Sequence, residues 1–156
     1  AGVGGGAAVE AISGKAKSLL LTSSVDWTVK LWSHTPRDAQ HPLREIATFG
    51  SSREYVYDVQ WSPLHPGLFC YVDGAGMLHL WNINRDTEEP IVRVQVTEDG
   101  KAGCNRVRWS HDGRKIIVGD SSGKTHLFDI ASLVATPRSG AWGRLDAQVA
   151  MMRENA

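Results

Sequence analysis

Three stretches of this 156-residue chain keep one register, and that repetition constrains the fold more than any other feature. The first reads LLLTSSVDWTVKLW from Leu19 to Trp32. The second holds Val59-Gln60-Trp61-Ser62-Pro63, then Leu68-Phe69-Cys70-Tyr71-Val72-Asp73-Gly74-Ala75-Gly76, then Leu78-His79-Leu80-Trp81-Asn82. The third holds Val107-Arg108-Trp109-Ser110-His111-Asp112-Gly113, then Lys115-Ile116-Ile117-Val118-Gly119-Asp120-Ser121-Ser122-Gly123, then Thr125-His126-Leu127-Phe128-Asp129. Trp32, Trp81 and Phe128 recur 49 and 47 residues apart, and Trp61 and Trp109 recur 48 apart. Independent features that hold one spacing mark a repeated structural unit.

Each unit reads as short strands. Tyr57, Val59 and Trp61 alternate with Asp58 and Gln60, and Leu78 and Leu80 alternate with His79 and Trp81, the period of two that sends successive side chains to opposite faces. Gly74, Gly76, Gly119 and Gly123 punctuate the turns. Residues 43–49 and 91–96 supply a fourth strand to the first two units. Four strands in roughly 45 residues is the pattern of a propeller blade. Trp32, Trp61, Trp81 and Trp109 sit at strand spacing and are expected in the core, whereas Trp27 and Trp142 fall outside that register and are candidates for an interface. His79 and His126 occupy equivalent positions, which suggests packing between blades. Near the end, Leu145, Val149 and Met152 share one face of a short amphipathic helix over 140–154, expected to dock on the last blade or on a partner.

Composition excludes several classes of function. Seventeen basic residues balance 17 acidic ones, so no net field draws the chain to nucleic acid or anionic lipid. The longest apolar runs, such as Leu19-Leu20-Leu21, are far too short to cross a bilayer. No basic region followed by an apolar one opens the sequence, so no secretory signal is read. Cys70 and Cys104 are the only cysteines, neither has a second ligand at metal-binding spacing, and reduced thiols are expected. No cofactor or metal site is expected.

Three enzyme-like patterns are weighed against this frame. Gly119-Asp120-Ser121-Ser122-Gly123 matches GxSxG, but a nucleophile elbow needs a helix after it, and here a strand follows. A serine hydrolase at Ser121 is the remote alternative. The stretch ending Gly123-Lys124-Thr125 resembles a phosphate loop but has three residues, not four, between its glycines. Gly2-Val3-Gly4-Gly5-Gly6-Ala7 approximates a dinucleotide fingerprint without the preceding strand that fold requires. No catalytic residue is assigned.

The repeat resembles the WD-repeat family. Ser24-Val25-Asp26-Trp27-Thr28-Val29-Lys30-Leu31-Trp32 looks like that family's third strand with its entering turn, and the terminal dipeptide slots hold Trp32-Ser33, Trp81-Asn82 and Phe128-Asp129. Asp26, Trp32, Trp61, Trp81, Trp109 and Phe128 form the repeat signature. The family's Gly-His pair before the first strand is missing, since Gly50 is followed by Ser51, so its His–Asp hydrogen-bond network is not expected. The fold class implied is all-β: a partial WD-repeat β-propeller of three four-stranded blades with a short carboxyl-terminal helix. The expected divisions are a Gly/Ala-rich leader with a poor first strand (1–16), blades over 17–56, 57–104 and 105–137, and a helical tail over 138–156. A closed ring needs at least four blades, so three are expected to be a piece of a longer chain.

Within that family, Tyr55-Val56-Tyr57-Asp58-Val59-Gln60-Trp61-Ser62-Pro63-Leu64-His65-Pro66, Leu80-Trp81-Asn82-Ile83-Asn84-Arg85-Asp86-Thr87 and Asn105-Arg106-Val107-Arg108-Trp109 resemble cytoplasmic dynein intermediate chains, as does Ala135-Thr136-Pro137-Arg138 leading to Trp142. The resemblance implies a non-catalytic subunit that docks on the dynein heavy-chain tail and meets other subunits, including the light chains, through an upstream region, in the cytoplasm and on the cytoskeleton. The alternative is a WD-repeat scaffold of another assembly, axonemal dynein included. In WD-repeat geometry the turns between second and third strands share one rim with the approaches to the first strands, which would bring Tyr55, Asp73, Arg106 and Asp120 to a partner-binding face.

Overall fold

The computed structural model describes residues 9–11, 19–34 and 43–156. Strands β1 (Val9–Ala11), β2 (Leu19–Ser23), β3 (Val29–His34) and β4 (Leu43–Phe49) form the first sheet, each pairing antiparallel with the next. Strands β5 (Val56–Trp61), β6 (Leu68–Asp73), β7 (Met77–Asn82) and β8 (Val92–Gln95) repeat the arrangement in a second sheet. The third sheet holds β9 (Cys104–Trp109), β10 (Lys115–Asp120) and β11 (Thr125–Asp129). It has three described strands where four were expected. After β11 the chain turns into a short helix, α1 (Ser132–Ala135), and Pro137 follows, which has no N–H to give a ladder.

The sheets stack face to face with sheet two in the middle, and the alternation along β6 shows why its sequence is apolar throughout. Phe69 and Tyr71 point into a first core, with Leu19, Leu21, Val29, Leu31 and Phe49 of sheet one. Leu68, Cys70 and Val72 point into a second, with Val107, Ile116 and Val118 of sheet three. A strand covered on both faces loses the polar half of the usual alternation, and all six residues of β6 are buried. By contrast β10 alternates: Ile116 and Val118 are buried and Ile117 is exposed. Ile117 lies directly across from Leu127, also exposed, so the outer face of sheet three keeps an uncovered apolar pair.

The tryptophans divide by the same rule. Trp61 and Trp81 are buried, Trp81 against Phe49 (centroids 4.9 Å) and stacked on Phe69 (6.1 Å). Trp109 is half-buried against the second core, whereas Trp32, also half-buried, joins neither core, which corrects the expectation of four core positions. Trp32 lies on the face of sheet one away from the first core, where its Nε1 donates to Thr22 Oγ1 (2.9 Å), and Trp109 sits beside β5 and donates through Nε1 to the Gln60 carbonyl (3.2 Å). Phe128 is half-buried against the second core. Side chains of β5 bridge to β9: Asp58 Oδ2 accepts from the Val107 N–H and the Arg108 guanidinium, both at 3.0 Å, and Gln60 Oε1 accepts from the Trp109 N–H (2.7 Å).

Helix α2 (Ala141–Asn155) docks on the first core and not on the last blade. Ala141, Leu145 and Val149, spaced four apart, are buried, and Met152 packs beside them. Trp142, an interface candidate by sequence, also packs against this core. The Arg153 guanidinium donates to Ser33 Oγ (2.6 Å), and Asn84 Nδ2 donates to the Ala141 carbonyl (3.0 Å), so one end of the helix is tied to β3 and the other to the loop after β7.

Candidate partner-binding rim

The turns joining β2 to β3, β6 to β7 and β10 to β11 join second to third strands of successive sheets and lie at one end of the stack. Each is held by a side chain that satisfies backbone donors. Asp73 Oδ1 accepts from the N–H groups of Ala75 (3.1 Å) and Met77 (3.0 Å). Asp120 Oδ1 accepts from those of Ser122 (2.9 Å) and Lys124 (3.0 Å) and from Ser122 Oγ (2.7 Å). In the first turn Asp26 Oδ1 accepts from the Thr28 N–H (3.1 Å) and hydroxyl (2.7 Å). Short polar side chains bind nearby backbone readily in this way.

The second oxygen of each later aspartate meets a histidine six residues on. His79 Nε2 lies 2.9 Å from Asp73 Oδ2, and His126 Nε2 lies 2.8 Å from Asp120 Oδ2. A His–Asp bond is therefore present although the Gly-His pair is not: the imidazole comes from the third strand of the same blade. His79 and His126 thus serve bonds within their own blades, which corrects the expected packing between blades. Around His79 the network extends, with Ser51 Oγ 3.3 Å from Nδ1 and 2.6 Å from the Tyr71 hydroxyl, and Ser52 Oγ donating to Asp73 Oδ2 (2.8 Å). Tyr71 stacks on the imidazole at 4.4 Å.

The electrostatics follow from these bonds. Burial pushes the Asp73 carboxyl up, but the bonds from His79, the Met77 N–H and Ser52 outweigh it and hold the group below 3.8. Asp120 is held well below the usual carboxylate range, first by His126 and then by Ser122. Burial, with a smaller contribution from Asp120, pushes the Cys104 thiol up to about 12. Cys70 and Cys104 are buried thiols of the second core.

The residues proposed from sequence for a partner face part into two groups. Asp73 and Asp120 are buried, their carboxylates engaged by the turns they close, and they build the rim without offering a surface. Tyr55 and Trp27 are 45% and 49% exposed, with Val25 at 51% beside Trp27. The Val56 N–H donates to the Ser24 carbonyl (3.2 Å) and the Gly74 N–H to the Tyr55 carbonyl (2.9 Å), which fixes Tyr55 between the first and second turns. Arg106 is exposed on β9 across from Gly119, next to the third turn.

One conformation separates the first turn from the others. Gly76 (φ +74°), Gly123 (φ +85°) and Trp27 (φ +72°) hold the same slot of the repeat. Glycine adopts the left-handed region freely; a bulky aromatic there is strained by about 1 kcal/mol or more. Trp27 is the one non-glycine with positive φ among the described residues. Sequence reasoning named Trp27 for falling outside the tryptophan register; its alignment with two glycines is the stronger signal.

The hydrolase pattern does not survive its context. Ser121 sits in the turn between two strands, His126 Nε2 is engaged by Asp120, and Ser122 donates to that same carboxylate. The glycine pattern at 2–7 lies outside the described residues. No group of metal-ligating side chains occurs among the described residues, and none of their helices is long and apolar enough to cross a membrane.

Antiparallel meanders stacked face to face, each carrying a side-chain-clasped turn at the same rim and an aromatic near the end of its third strand, define a partial WD-repeat β-propeller. No family model matches the chain. Over 137 residues, 88% of its length, it is 40% identical to the cytoplasmic dynein 1 intermediate chain of Drosophila melanogaster, and it spans 20% of that protein, a carboxyl-terminal stretch. Along that stretch the chain is similar to the carboxyl-terminal part of a cytoplasmic dynein intermediate chain.

Proposed function

We propose that the chain is part of a non-catalytic scaffold subunit of a dynein motor complex, working in the cytoplasm on the cytoskeleton, and that its rim docks on the dynein heavy-chain tail in microtubule-based movement. The similarity to a cytoplasmic intermediate chain supports the subunit role and favours that assembly over an axonemal one. The observation that carries the docking rim is Trp27, strained in its backbone and half-exposed where its two counterparts are glycine. A residue that costs stability in the free protein and covers no core is explained by what it does in a complex. Val25, Tyr55 and Arg106 complete the surface, and the clasped turns hold it in place before binding, so little order is lost on contact.

The test is co-purification of the full-length intermediate chain with a heavy-chain tail. Trp27→Gly relieves the turn, so the melting temperature stays level or rises, while tail binding falls at least about tenfold, equivalent to about 1.4 kcal/mol. Tyr55→Ser lowers binding with little change in folding. Tail binding unchanged in both variants would overturn the docking rim.

A further inference from the structure

The opposite end of the stack carries a second feature. A cavity of about 650 Å³ opens where the loop after β7 meets the segment 134–138 and the start of α2. Arg85, Arg138 and Arg144 line it, with His65, Asn82 and Asn84, and no acidic residue is among its walls. In a chain whose charges balance, three guanidinium groups around one hollow are a local excess of positive charge. None of the three forms an ion pair among the described residues; Arg144 donates to the Ser139 carbonyl (3.1 Å). Asp86, which follows Arg85 in the chain and feels its charge, accepts from the N–H groups of Glu88 (2.8 Å) and Glu89 (3.2 Å).

Two further observations point the same way. Helix α2 begins here with no acidic residue in its first turn and no side-chain cap, so its positive end adds to the field of the arginines. The wall is fixed in place: Asn84 Nδ2 donates to the carbonyls of Pro66 (3.1 Å) and Ala141 (3.0 Å), which ties the loop after β7 to the start of α2. His65, buried beside it, is bonded through Nδ1 to the Pro66 carbonyl (2.8 Å).

We infer that this cavity binds the phosphate group of a phosphorylated peptide segment. Guanidinium forks match the geometry of phosphate oxygens and bind them in pairs, which single ammonium groups do not. The hollow is several times larger than a phosphate, and Ile91 and Val134 give it an apolar wall that suits neighbouring peptide side chains. A nucleotide fits less well, because no Phe, Tyr or Trp lines the cavity to stack on a base. The site lies at the other end of the sheets from Trp27 and Tyr55, so peptide binding and rim docking are separable.

The experiment is fluorescence anisotropy on the whole chain with a pool of phosphoserine peptides of randomised flanks, beside the same pool unphosphorylated. The expected result is at least tenfold tighter binding of the phosphorylated pool, competed by inorganic phosphate. Arg138→Gln with Arg144→Gln abolishes that preference at an unchanged melting temperature, and Arg44→Gln, an exposed cation of β4, leaves it intact. Equal binding of the two pools, a preference retained in the double variant, or an equal loss in Arg44→Gln would overturn the proposal. Binding of adenosine diphosphate in place of the peptide pool would also overturn it.

Discussion

Sheets two and three carry nearly the same turn, yet they sit in different surroundings, and the contrast separates what the repeat encodes from what stacking adds. In both, an aspartate closes the turn, a glycine at the fourth position takes positive φ, and a histidine six residues on reaches the second carboxylate oxygen. In sheet two the side chains of the pair are 3% and 1% exposed; in sheet three the histidine is 25% exposed. Strand β6 is buried throughout, whereas β11 shows no fully buried residue. The turn is thus a local device, formed wherever its residues occur. Its burial depends on whether another sheet covers it.

Substituting the turn glycines breaks this comparison most sharply. A Cβ at Gly76 would overlap Thr97 Oγ1 and lie 2.7 Å from the Ala102 carbonyl oxygen, while one at Gly123 meets nothing within 4 Å. Gly76→Ala should therefore cost about 3 kcal/mol, combining backbone strain with the clash. Gly123→Ala should cost about 1 kcal/mol, the strain alone. Equilibrium unfolding in urea measures both, and equal losses would mean that sheet two is no more tightly covered than sheet three.

A smaller effect follows from the aspartates. Asp73 is held below its ordinary value of 3.8, so its stabilisation is present above about pH 4 and is lost as the pH falls below that towards the folded-state value. Asp73→Asn should lower stability at pH 7 by about 2 kcal/mol and flatten the dependence below pH 4. Asp120→Asn should act in the same direction with a smaller change in melting temperature, because its histidine is more open to solvent. Melting temperatures between pH 3 and pH 7 test the order of the two.

Much of the architecture was legible because its determinants are local. Period-two runs marked β5 and β7, and glycines at 74, 76, 119 and 123 marked the turns. Other features depended on contacts distant in sequence. The His–Asp bond is not announced by a Gly-His pair before the first strand; its one sequence signal is the identical spacing from Asp73 to His79 and from Asp120 to His126. The half-burial of Trp32 and Trp109 depends on which sheet faces are covered, and the seat of α2 on the first core depends on Leu145 meeting residues about a hundred positions earlier. Of the candidate rim, Tyr55, Trp27 and Arg106 were placed on the surface, but exposure distinguishes them from Asp73 and Asp120 only once the turns are folded.

Native-state hydrogen exchange of the backbone amides most directly tests whether a middle blade is clamped between two others. The amides of β6 should be the slowest in the chain and those of β11 among the first strand amides to exchange, with β10 between them. Equal protection in β6 and β11 would contradict the stacked arrangement.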